Sequence, residues 1–299
     1  MQFLRPISIV TVLLCRGLIS ARSIPSPILS ATSVEISTFE TEHAESSTKR
    51  AAIWKRDVTG PENYDDDIDA FMYDQTRSGK AGVNLIPEGD NEDPATALEY
   101  EFRGHEWNMA VNNLEGCTML IVISENLDRL WAAHFFEVPG FSSGHKFFKD
   151  KIIAPMLNGN PDPAISMPGL LPNKERFGSK PVTILISTRK WLSDEPHDFK
   201  YKNELDEIEK TLRRLWPNMP ATIPQEYEKQ ILDSAYDRTA LGKLLIQYGP
   251  GLAGGMRQAM VRVWLEDWET PVHADYWNPK SDQIAPSWVL SILCLDLAG

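Results

Sequence analysis

Two apolar runs separated by four residues constrain this chain more than any other feature. Cys117–Ser124 reads CTMLIVIS and Arg129–Phe136 reads RLWAAHFF, with Glu125-Asn126-Leu127-Asp128 between them. Both runs are short, apolar and rich in branched or aromatic residues, which suits buried strands. A four-residue link is of hairpin length. With the loop at 125–128, Ser124 faces Arg129 and His134 faces Met119. Side chains alternate along a strand, so Cys117 and His134 then share one face as diagonal neighbours, with backbones roughly 7–8 Å apart. A three-residue loop or a bulge would break this parity.

The pair carries a chemical meaning. A thiol is a weak nucleophile until it loses its proton, and a neighbouring imidazole can take that proton or stabilise the thiolate. Gly116 removes a side chain beside the sulfur and frees the backbone for a tight approach. Backbone N–H groups around Gly116 and Cys117 could receive an oxyanion. A spacing of 17 residues between Cys117 and His134 equally fits a buried structural thiol beside a hydrogen-bonded core histidine.

Leu114-Glu115-Gly116-Cys117 resembles the Leu-x-Gly-Cys motif of the cytotoxic necrotizing factor type glutamine deamidases, in which a His follows after a short strand pair as His134 does here. The chemotaxis deamidases are similar, with a glycine-containing turn before the Cys and a His at nearly this distance. Gly116-Cys117-Thr118 and His134-Phe135-Phe136-Glu137 also resemble a core shared by secreted fungal proteins. The resemblance spans about 24 of the 299 residues. It implies a Cys–His pair that hydrolyses glutamine side-chain amides on proteins, with Cys117 as nucleophile and His134 as its base. It implies no cofactor. In the chemotaxis enzymes a Thr six residues before the Cys orients the His. Val111 stands there in this chain, which leaves a backbone carbonyl as the candidate for that role.

Charge narrows the partners. A net charge of −12 argues against nucleic acid and against anionic lipid; the resemblance implies a protein substrate or partner. The N-terminus reads as a secretory signal over 1–21: Arg5, an apolar Ile7–Cys15, then Ser20 and Ala21. Residues 22–56 read as a disordered pro-segment, rich in Ser, Thr and Glu. Lys49-Arg50 and Lys55-Arg56 resemble kexin-type processing sites. Together these predict a secreted, extracellular protein. Cys15 belongs to the signal, so Cys117 and Cys294 remain in a chain bound for an oxidising compartment. A Cys117–Cys294 disulfide is the alternative to a catalytic thiol.

Residues 57–299 read as one domain. Within it, 57–99 is acidic and turn-rich, with Asp65-Asp66-Asp67, and reads as a flexible surface arm whose Asp run is solvated. His105, Glu106, His134, Glu137 and His145 supply metal-ligand chemistry, but no two have the HExxH spacing, so no metal site is expected. Ser142-Ser143 can cap a helix to about Leu157, with Phe148, Ile152 and Met156 on one stripe. Asn158–Lys180 reads as a long loop that could border a site. Strands are expected at 182–188, 244–248, 259–265 and 288–295. The clearest helix is 201–216: Leu205, Ile208, Leu212 and Leu215 recur at helical steps and Pro217 follows. Thr222 and Pro224 announce another helix over 225–238. Trp264, Trp268, Trp277 and Trp288 read as aromatic core, with a sugar platform as the other option.

The mixture of strands and helices predicts an α+β layered sandwich around a mixed sheet, with the Cys/His residues on a β-hairpin. The function it points to is a secreted Cys–His amidohydrolase acting on protein glutamine, by hydrolysis or, with an amine in place of water, by transamidation. The rival is a non-enzymatic secreted interaction protein of the same fold.

Overall fold

In the computed structural model residues 58–162, 164–188, 199–227, 237–252 and 258–285 are described. The expected signal peptide, pro-segment and final strand at 288–295 lie outside them, as does Cys294.

The hairpin forms with the expected register. β4 (Thr118–Ile123) pairs antiparallel with β5 (Arg129–Phe135), Thr118 opposite Phe135 and Ile123 opposite Leu130. The Ser124 N–H donates to the Arg129 carbonyl at 3.1 Å, closing the loop. Cys117 lies one residue ahead of β4. Every residue of β4 and β5 is buried, because the sheet that holds them is covered on both faces. That is why their sequence is a continuous apolar run rather than an alternating one.

This sheet runs in the order β2-β5-β4-β6-β7, with β2 at Ala95–Glu101, β6 at Val182–Thr188 and β7 at Ile223–Tyr227. A second sheet runs β1-β3-β8-β9-β10, with strands at Val83–Leu85, Trp107–Val111, Leu244–Gly249, Ala259–Leu265 and His273–Trp277. Each has one parallel pair at an edge, β6 with β7 and β1 with β3, and antiparallel pairs elsewhere. The inner faces meet in one core: Met119, Ile121, Leu130, Ala132, Ile184 and Ile186 from one sheet pack with Met109, Val111, Leu244, Ile246, Val263 and Leu265 from the other.

Helices cover the outer faces. α1 (Ile68–Thr76) lays Phe71 and Met72 against Ala110, Leu245 and Trp264. On the other side, α2 (His145–Phe148), a wider-turned segment Lys149–Ile153, α3 (Ala154–Asn158) and α4 (Lys202–Leu215) cover Leu120, Val122, Trp131, Ala133 and Leu185. The expected stripe Phe148, Ile152, Met156 is fully buried there. Ser142-Ser143 do not cap this run; Gly144 takes that place without a side-chain bond. In α4 the four expected apolar residues are buried. On its exposed face Lys202 pairs with Asp206 and Glu209 with Arg213, each four residues apart. The described residues thus form an α+β sandwich of four layers, helix on sheet on sheet on helix.

Three expectations are corrected. Residues 57–99 are not a flexible arm over the part described: α1, β1 and β2 build both sheets and cover one of them, and Phe71 meets Trp264 edge-on at 5.1 Å. Acidic residues there serve local geometry; Asp67 accepts from the Ala70 N–H and caps α1. Residues 223–227 are a strand, not the start of a helix. Pro224 is tolerated because β7 is an edge strand. The remainder of 225–238 falls largely outside the described residues. The Asn158–Lys180 loop packs Met167, Leu170 and Phe177 onto the outer face of the hairpin sheet. It therefore lies on the opposite side of that sheet from Cys117 and does not border it. Trp264 is core, Trp277 is half-buried against the core and stacks with Tyr248, and Trp268 is exposed.

Candidate functional site

His134 and Cys117 reach the same face through the hairpin register. His134 sits opposite Met119. Its even-numbered neighbours Leu130 and Ala132 point into the core between the sheets, as do Met119 and Cys117. Carried one residue past Thr118–Phe135, where the pairing ends, the register would make Cys117 the diagonal neighbour of His134 at one end of that core. The thiol-bearing residue is 4% exposed and the histidine 0%.

The turn ahead of Cys117 is fixed from across the sheet. Gly116 has φ +94°, in the left-handed region that favours glycine. Its N–H donates to the Tyr227 hydroxyl at 3.1 Å, and that hydroxyl donates to the Cys117 carbonyl at 2.6 Å. Tyr227 ends β7 and spans the width of β6 to do this. Its buried phenol is pushed well above the ordinary tyrosine pKa, first by burial and then by the negative charge Cys117 would carry, so it stays a neutral donor. One expectation changes as a result. The Gly116 N–H is already engaged by Tyr227 and is not open to an oxyanion in this conformation.

His134 is the electrostatic anomaly. Neither ring nitrogen has a hydrogen-bond partner among the described residues. The ring contacts Phe136, with centroids 4.9 Å apart. Thr96 lies opposite on β2, but its hydroxyl donates to the Pro87 carbonyl instead. Among the described residues no backbone carbonyl orients the imidazole, and no hydrogen bond joins it to the Cys117 sulfur. Burial lowers its pKa from 6.5 to about 4, so it is neutral at pH 7 and able to accept a proton. Leaving a buried polar group unpaired costs about 1–3 kcal/mol.

A second such group flanks Cys117. Met119 pairs with Ile186 on β6, and the Thr118 and Ser187 hydroxyls meet at 3.0 Å on the opposite face. The strand pairing ends at Met119–Ile186; continued past Thr118 and Ser187 it would set Thr188 across from Cys117, on the face of Ile184 and Ile186. Thr188 is completely buried and its hydroxyl has no partner among the described residues. Tyr227 is not legible in the sequence because only pairing among β4, β6 and β7 brings its hydroxyl to the Gly116–Cys117 turn.

Glu137, two residues past β5, accepts from Lys200 and from the Tyr201 hydroxyl, the latter at 2.8 Å. Burial and then Glu137 raise the Tyr201 pKa. Among the described residues no three His, Cys, Asp or Glu side chains gather as metal ligands would. Two cavities, of about 520 and 670 Å³, open elsewhere, and neither is lined by Cys117 or His134.

The fold is an α+β sandwich of two mixed five-stranded sheets, with His134 on β5 and Cys117 one residue ahead of β4, both buried. No family model matches the sequence, and no curated protein does. Among solved structures, the C-terminal domain of CNFy from Yersinia pseudotuberculosis matches with a TM-score of 0.28 and 9% identity, over 65% of this chain and 60% of that domain. The match thus spans less than two thirds of that domain's length.

Proposed function

We propose that this chain is a secreted Cys–His amidohydrolase that acts on glutamine side chains of a protein. The observation that carries the reading is the unpartnered, neutral His134 on the same interior face as Cys117. Buried polar groups are ordinarily satisfied, and an exception asks for a role. A proton acceptor beside a thiol supplies one.

In this reading neutral His134 takes the Cys117 proton as the sulfur attacks the carboxamide carbon. The carbonyl π electrons move onto oxygen. When they return, the carbon–nitrogen bond breaks and His134 gives its proton to the departing ammonia, leaving a thioester. Water adds next with His134 as base, the carbon–sulfur bond breaks, and a glutamate side chain leaves. An amine in place of water would transfer the acyl group instead. Because Cys117 is 4% exposed, the cover over the thiol must shift before a substrate enters.

That same burial favours a second reading, a non-enzymatic interaction protein in which both residues are core. Ammonia release from denatured casein separates the two. The amidohydrolase predicts release by the wild type and none by Cys117→Ala or His134→Ala, with both variants folded. Equal release from wild type and Cys117→Ala, or none from either, favours the interaction protein.

A further inference from the structure

The reaction above needs a donor for the oxygen that becomes negative when the sulfur adds, and the Gly116 N–H is engaged by Tyr227. We infer that the Thr188 hydroxyl is that donor. The inference rests on the amidohydrolase reading and adds a catalytic residue to it.

Three observations support the assignment. First, place: the β4–β6 register ends at Met119–Ile186, and carried two residues further, past the bonded Thr118 and Ser187 hydroxyls, it would set Thr188 opposite Cys117. Directly opposed residues of an antiparallel pair have Cβ atoms roughly 5 Å apart. A tetrahedral carbon bonded to the Cys117 sulfur would lie in reach of a hydroxyl on that neighbour. Second, availability: Thr188 is 0% exposed and its hydroxyl has no partner among the described residues. In the resting protein it is a donor waiting for an acceptor. Third, contrast: the neighbouring hydroxyls are engaged. Ser187 and Thr118 bond each other, Thr96 bonds the Pro87 carbonyl, and Tyr227 holds the Gly116–Cys117 turn. Donors fixed beforehand in a water-excluded site act most strongly where charge develops.

Stability and activity should therefore move in opposite directions. Thr188→Val keeps the shape and removes the unpaired hydroxyl, which relieves a desolvated group rather than breaking a bond. Its urea midpoint should equal or exceed that of the wild type. Its kcat for ammonia release from denatured casein should fall about 10²–10³-fold, with KM little changed, and Thr188→Ser should retain most of the activity. A Thr188→Val enzyme with wild-type kcat overturns the inference. So does a marked loss of stability, since that would give the hydroxyl a structural partner. Failure of the underlying reading looks different: wild type and Cys117→Ala would then release ammonia equally or not at all.

Discussion

His134 lies across the hairpin from Met119, two strand positions inward of Cys117 and on the same interior face, with neither ring nitrogen hydrogen-bonded among the described residues. This arrangement costs stability in acid. The histidine's folded pKa of about 4 is below its ordinary 6.5, so between these values the unfolded chain binds a proton that the folded protein does not. Above pH 6.5 neither state is protonated and there is no penalty. As pH falls toward 4 the penalty grows to about 3 kcal/mol. His134→Leu should remove this component, so its stability, followed by urea denaturation, should decline less than that of the wild type between pH 6.5 and 4. Parallel curves would mean that the histidine is not buried neutral.

Tyr227 is expected to hold the nucleophile's turn. Tyr227→Phe leaves the Gly116 N–H and the Cys117 carbonyl without the hydroxyl that now joins them. A loss of about 1–3 kcal/mol should follow, measurable as a lowered urea midpoint with an unchanged slope. A neutral substitution would show that the turn is fixed by other contacts.

Phe71 tests whether the N-terminal acidic segment belongs to the core. It is fully buried between α1 and Trp264. Phe71→Ala should cost about 3–5 kcal/mol, seen by thermal or chemical denaturation. A flexible arm would tolerate the change.

The hairpin was legible because two constraints coincided. The apolar runs were long enough to mark β4 and β5, and a four-residue link set the parity that brings His134 opposite Met119. β6, β9 and α4 were legible for similar reasons, since their patterns match their periods. The 57–99 segment misled because acidic residues and turns dominate its composition, while its burial rests on a few residues such as Phe71 and Met72. β7 misled because Pro224 opens helices as readily as it sits in an edge strand. Tyr227 and Thr188 could not be placed at the site from sequence. Their approach to Cys117 depends on pairing between strands separated by long stretches of chain. That neither His134 ring nitrogen has a hydrogen-bond partner among the described residues is likewise a property of packing that no local pattern encodes.

The pairing of Cys117 with His134 is tested most directly by alkylating the native, unreduced chain with iodoacetamide across pH and reading Cys117 by peptide mass spectrometry. Reagent reaches the thiol only when its cover opens, so the midpoint reports the state in which chemistry would occur. The account predicts labelling of Cys117 with a midpoint well below the ordinary thiol value of about 8.5, and a midpoint moved up toward that value in His134→Gln. An identical midpoint in both proteins, labelling only in denaturant, or recovery of a Cys117–Cys294 linked peptide would contradict it.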